Sequence, residues 1–257
     1  MSSSEFADRI AVVTGAASGI GAAIASALMA EGTRVAAFDR DRPGLDALLR
    51  RSGTSIQAHC VDVVDEVAVE RAVESVESKW GAIDFLVNAA GVMVEGRITS
   101  DELDESAFWR AQAVNLGGVW NVVRAVARRM MQRRRGAVVT VSSNAATTPR
   151  LGMSAYCASK AAATMLTRCL GLELAEYGVR CNVISPGSTD TPMLRTMASG
   201  SGTMAFVTGD PKTFRTGIPL GRVATADDIA GATLFLLSEG ARHITMHDLR
   251  IDGGATW

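Results

Sequence analysis

Apolar, β-branched runs of strand length recur along the chain at positions 10–14, 34–38, 55–61, 83–87, 137–141, 180–184 and 248–251. Between most of them the apolar residues return at helical spacing, so the pattern predicts successive βαβ units. Runs such as Ala137-Val138-Val139-Thr140-Val141 lack the polar alternate positions of a strand with one wet face and fit strands covered on both sides, as in a parallel sheet. The expected fold class is α/β: a single-domain, doubly wound Rossmann fold with a mostly parallel seven-stranded sheet and helices on both faces. No repeat, low-complexity tract or Pro/Ser-rich linker divides positions 1–257, which predicts one domain. The stretch 188–217 is rich in Thr, Met, Gly and Ser, and its part Met197-Ala198-Ser199-Gly200-Ser201-Gly202 reads as mobile, so a substrate lid is expected there. Thr225-Ala226-Asp227-Asp228 predicts a helix start, with early acids at the positive end of the dipole.

A helix predicted at 154–177 is small and apolar, carrying Ala155, Ala158, Ala161, Ala162, Ala163, Met165, Leu166, Leu170, Leu172 and Leu174. It offers apolar surface on more than one face, so one side is expected on the sheet and another against a second subunit, giving a homo-oligomer.

Composition narrows the function classes. A chain of 257 residues, 47% hydrophobic and 21% charged, is globular rather than disordered or fibrous. Its formal net charge of -1 provides no field to recruit nucleic acid or an anionic membrane, and neither is expected as a partner. The one basic run, Arg133-Arg134-Arg135, falls where a helix should end and is read as structural. The start lacks a basic leader and its first apolar run, 10–13, is too short to span a membrane, so a cytoplasmic location is expected. Cys60, Cys157, Cys169 and Cys181 form no CxxC and have no His at ligand spacing, which predicts buried thiols and no metal. His59, His243 and His247 are scattered among apolar neighbours and are not expected to bind one.

Chemistry enters at two places. Thr14-Gly15-Ala16-Ala17-Ser18-Gly19-Ile20-Gly21 follows the first strand and opens a helix, an order in which glycines allow close approach of a pyrophosphate to unpaired helix amides. Asp39 ends the second strand 18 residues after Gly21, where an acid can bond the ribose hydroxyls of a dinucleotide and repel a 2′-phosphate, which favours NAD, with Arg40 able to soften the preference. Asp62, ending the third strand, is read as a contact to the adenine edge or as a loop cap. The second place is Tyr156-Cys157-Ala158-Ser159-Lys160, where a phenol and an ammonium four residues apart lie one helical turn from each other. The ammonium is expected to lower the phenol toward neutrality and make it a base.

Together with Asn88-Ala89-Ala90-Gly91 after the fourth strand, Ser142-Ser143 after the fifth and Pro186-Gly187 after the sixth, these motifs make the chain resemble the short-chain dehydrogenase/reductase family over nearly its whole length. The resemblance implies Tyr156 as general acid/base, Lys160 as its partner and a nicotinamide ribose ligand, Ser143 on the reacting oxygen, and Asn115 on the proton path. Thirteen residues separate Ser143 from Tyr156, which favours it over Ser142. The cofactor contacts it implies are Gly15, Ser18, Gly19, Ile20, Asp39, Asp62, Val63, Asn88, Ala89, Gly91, Tyr156, Lys160, Pro186, Gly187, Thr189 and Thr191. One departure is a single asparagine at Asn88-Ala89-Ala90-Gly91, where the family more often has two; it leaves Asn88 to join strands. The segments 149–156, 178–191 and 217–221 are similar to the branch that oxidises 2,3-dihydro-2,3-dihydroxybenzoate in catecholate siderophore synthesis, and to its dihydro-hydroxyanthranilate relatives. That branch implies a small carboxylated cyclic diol or amino alcohol as substrate and a homotetramer as the assembly. Arg150 is then expected to bind its carboxylate, with Met193, Met197 and Met204 shaping the pocket. A 3-oxoacyl or sugar carbonyl reductase and an NAD-sensing binding protein are the other readings; the set Asn115, Ser143, Tyr156 and Lys160 argues against the binder, and Asp39 against an NADPH reductase.

Overall fold

The computed structural model describes residues 5–53, 55–198 and 202–256. Its strands are β1 (Ile10–Thr14), β2 (Arg34–Asp39), β3 (Ile56–Cys60), β4 (Phe85–Asn88), β5 (Gly136–Val141), β6 (Val179–Pro186) and β7 (Asp248–Ile251). All the pairings are parallel, in the order β3-β2-β1-β4-β5-β6-β7, so the expected mostly parallel sheet is wholly parallel. The chain runs outward from β1 to β3 and then restarts beside β1 at β4. This reversal opens a crevice at the carboxyl ends of the strands, where doubly wound sheets bind ligands.

Strand β1 shows why the sheet is covered on both sides. Ile10 and Val12 enter one core with α3 (Glu66–Trp80), α5 (Gly118–Arg133) and α6 (Ser154–Leu174). Ala11 and Val13 enter the other with α1 (Gly19–Ala30), α2 (Arg42–Ser52) and α9 (Ala226–Leu237). The remaining helices are α4 (Glu105–Gln112), joined to α5 by a π-helical turn at Ala113–Gly117, and the short α7 (Pro192–Met197) and α8 (Met204–Thr208). Helix α9 begins as expected, with Thr225 and Asp228 bonding each other's backbone amides in a capping box.

The arginine run is structural. Arg133 donates to Ile83 O, Arg134 takes the left-handed conformation that ends α5 and donates to Glu176 O, and Arg135 lies 4.0 Å from Asp84. The cysteine expectation needs correction, because only Cys181 is buried; Cys157 is half-buried and Cys60 and Cys169 are exposed. On α6 the cause is geometric: Cys169 shares an outward face with exposed Met165 and Leu172, while Ala155, Ser159, Ala163, Thr167 and Leu174 face inward. Among the described residues no helix is long and apolar enough to cross a membrane. Of the stretch read as mobile, residues 199–201 lie outside the described ones.

Candidate active site

A cavity of about 330 Å³ runs along the carboxyl ends of the central strands. At one end, the turn after β1 is packed too closely for side chains. A Cβ on Gly15, whose φ is +66°, would lie 2.8 Å from Ala90 Cα, and one on Gly21 would lie 2.1 Å from Gly15 O. Thr14 Oγ1 accepts from Ala89 N at 3.0 Å and Ala90 N at 3.1 Å, tying this turn to the end of β4. Ser18 precedes α1 without capping it by its side chain, which leaves the first helical amides as donors. Asp39 is held by two amides, Ala17 N at 2.9 Å and Asp41 N at 2.9 Å, so its carboxylate is a fixed acceptor in the cavity wall. Arg40 leans to Asp62 at 3.9 Å, and Asp62 also accepts from Val64 N at 3.0 Å, so Asp62 both lines the cavity and caps its loop.

At the middle of the cavity stand Ser143, Tyr156 and Lys160. Ser142 and Ser143 leave β5 in opposite directions. Ser142 Oγ bonds Thr164 Oγ1 at 2.6 Å and Lys160 O at 3.2 Å, so it is occupied against α6. Ser143 Oγ accepts from Ala145 N at 3.1 Å and faces Tyr156, whose phenol its hydrogen bond pulls downward. Lys160 Nζ donates to Val141 O at 2.9 Å and lies 5.9 Å from the centre of the Tyr156 ring. The electrostatics overturn one expectation. Burial, the dominant influence, pushes Tyr156 up to about 12, and burial pushes Lys160 down to about 8. Desolvation disfavours the charged form of each, and the Ser143 hydrogen bond is what draws the phenol back down.

Asn115 lies behind this group, in the π-helical turn. Its Nδ2 donates to Val92 O at 3.0 Å and Ser159 Oγ at 2.9 Å, and its Oδ1 accepts from Val92 N at 2.8 Å. A Cβ on Gly91 would meet Asn115 Oδ1 at 3.2 Å and Lys160 Nζ at 3.3 Å, so Gly91 is the gap through which the two approach. The widened turn aims one asparagine at three groups at once.

The far end of the cavity is lined by Arg150, Met153, Met193, Met197, Phe206 and Arg215, among others. Burial, with Arg215 nearby, holds the Arg150 guanidinium below its ordinary value.

These positions can be set beside known proteins. A family model described as Enoyl-(Acyl carrier protein) reductase matches residues 15–256. The 2,3-dihydro-2,3-dihydroxybenzoate dehydrogenase of Bacillus subtilis (strain 168) is 48% identical over 254 residues, 96% of each chain. The chain belongs to the short-chain dehydrogenase/reductase family. The enzyme of the same name from Escherichia coli (strain K12) is 41% identical over 98% of each chain. A solved levodione reductase superposes with a TM-score of 0.89 at 29% identity, covering 97% of this chain and 98% of that one.

As a short-chain dehydrogenase, the protein is an oxidoreductase and its nucleotide is a nicotinamide cofactor. The cavity fits one: a glycine floor with no side chain in the way, free helix amides beside it and a pinned carboxylate. Gly15, Ser18, Gly19, Ile20, Asp39, Asp62, Val63, Ala89, Gly91, Pro186, Gly187, Thr189 and Thr191 line it. Asn88 does not. Its side chain is buried beneath, donating to Thr140 Oγ1 at 3.3 Å, and joins β4 to β5. Met204 also stays outside, 65% exposed. Sequence reasoning missed Arg215 and Phe206, which come from the aperiodic stretch after α7, and Asn144, whose Nδ2 donates to Asp252 at 3.2 Å and ties the cavity to the chain's last turn. No spacing signal links Arg215 to Arg150, which is 65 positions earlier.

Proposed function

We propose that this dehydrogenase oxidises a ring alcohol of a carboxylated cyclohexadiene, 2,3-dihydro-2,3-dihydroxybenzoate or its 2-amino counterpart, with NAD as acceptor. The observation that carries the reading is a half-buried arginine, Arg150, in the same cavity as Ser143 and Tyr156. A guanidinium binds a carboxylate through two parallel hydrogen bonds, so it suits an acidic ring substrate. The high identity to dehydrogenases of that name supports it. Asp39 supports NAD, because a carboxylate already fixed by two amides repels a 2′-phosphate.

When bound, NAD supplies the hydride acceptor. Ser143 holds the reacting oxygen by its hydroxyl, which a backbone amide already orients. Tyr156 gives its own proton to solvent and, as phenolate, accepts that of the ring alcohol; the Lys160 ammonium, 5.9 Å from the ring centre, is the cation that would favour the phenolate. Asn115 fixes the backbone behind both. Loss of hydride and proton leaves a cyclohexadienone, which tautomerises to an aromatic phenol and draws the reaction forward. A homo-oligomer, a lid over about 188–217 and a cytoplasmic location belong to the same reading.

The test is NADH absorbance on mixing the protein with NAD and the dihydrodiol acid, against NADP and against a 3-oxoacyl thioester with NADPH. Absence of NADH formation, or preference for the thioester, overturns it. In the active enzyme, Arg150→Lys should raise KM for the acid by more than about tenfold with kcat less affected, since one bidentate clamp is lost.

A further inference from the structure

Nine of the chain's 23 arginines form an ion pair with an acid among the described residues. Arg9 pairs with Asp84, Arg129 with Glu70 and Glu77, Arg195 with Asp190 and Arg222 with Asp228. Arg150 and Arg215 have no such ion pair among the described residues, yet both line the cavity that holds Tyr156. The acids near them are already engaged. Asp210, on the Arg215 loop, accepts from Lys212 N at 2.9 Å and Thr213 Oγ1 at 3.0 Å. Asp252, whose charge reaches Arg150, accepts from Asn144 Nδ2 at 3.2 Å, Gly254 N at 3.0 Å and Thr256 Oγ1 at 2.6 Å.

Arg215 is also well placed. Its backbone exchanges two hydrogen bonds with Asp210, at 2.9 and 3.0 Å, which close a short loop. Its guanidinium lies 5.5 Å from the centre of the Phe206 ring and donates from Nη2 to Met153 Sδ at 3.5 Å. Met153 is the residue before α6, three positions from Tyr156, so the cation stands beside the catalytic helix start. Two guanidiniums in electrostatic reach of each other, partly out of water and neither in an ion pair among the described residues, favour an anion that lies between them.

We propose that Arg215 is a second specificity-determining residue, which closes with Arg150 on the substrate carboxylate and holds the ring in register with Ser143 and Tyr156. The inference rests on the acid-substrate reading above and adds to it a named residue from the 204–217 segment. An uncharged diol then lacks both anchors, and the site discriminates by charge as well as shape.

The test compares Arg215→Met and Arg215→Lys with the unaltered protein, using salicylate and phenol as probes that differ by the carboxylate. Calorimetric titration should show salicylate binding weakened at least about tenfold in Arg215→Met, partly restored in Arg215→Lys, with phenol changed by less than about twofold. Unchanged salicylate affinity, or equal losses for both probes, overturns the proposal. If the unaltered protein oxidises no dihydrodiol acid but shows the salicylate contrast, the substrate reading fails and the Arg215 assignment stands. If it turns over the acid while Arg215→Met binds salicylate normally, Arg215 alone is refuted.

Discussion

Tyr156 and Lys160 carry opposite consequences of the same burial. With its value pushed down to about 8, Lys160 gives up in the folded state a proton that the unfolded chain keeps up to its ordinary value of 10.5. The unfolded state therefore binds more protons between pH 8 and 10.5, and this lysine makes stability rise with pH across that window. Tyr156, pushed up from 10.0 to about 12, keeps its proton when folded, so its contribution is complete below pH 10 and is lost as pH climbs to 12. The difference in unfolding free energy between the unaltered protein and Lys160→Met should thus change with pH from 8 to 10.5, the lysine form gaining. Denaturant titrations at several pH values would show it, and a flat difference would contradict the burial account. The spacing of the pair was visible in the sequence because four residues make one helical turn; its electrostatics were not, since desolvation depends on strands and loops far along the chain.

At the scale of elements, the strands were legible because a strand buried on both faces must be apolar at nearly every position, and five-residue runs of that kind punctuate the sequence. The π-helical turn was not. Nothing in Ala113-Val114-Asn115-Leu116-Gly117 signals a widened turn, and Asn115 stood out only by family resemblance. Its three bonds to Val92 and Ser159 make it the joint between the loop after β4 and the start of α6. Asn115→Ala removes the partners of the partly buried Val92 amide and carbonyl and should cost about 1–3 kcal/mol of unfolding free energy, with a fall in kcat as the loop after β4 loosens beside the active site. Urea unfolding and steady-state assays check both, and a variant that matches the original in both would show the turn to be incidental. The region around Arg215 was illegible for another reason: its short helices bury few side chains and leave no period to read.

For the whole molecule, the second face of α6 is the open question. Met165 is 56% and Leu172 69% exposed, and Trp109 and Trp120 on the neighbouring α4 and α5 are 59% and 47% exposed. Isolated surface apolar groups are ordinary, but these sit on helices that share one side of the sheet, and their joint exposure suits a subunit contact. Sizing chromatography with light scattering at micromolar concentration should give a mass that is a multiple of 27.0 kDa; a monomer would leave that face unexplained. The restart of the sheet at β4 has a consequence for biosynthesis. Ala11 pairs on one edge with Val35 but on the other with Phe85, so a growing chain that has completed β1 to β3 displays a bare apolar strand edge until β4 is made. During that interval the nascent polypeptide offers a template for other chains, and the yield of folded enzyme depends on how quickly synthesis carries it past residue 88.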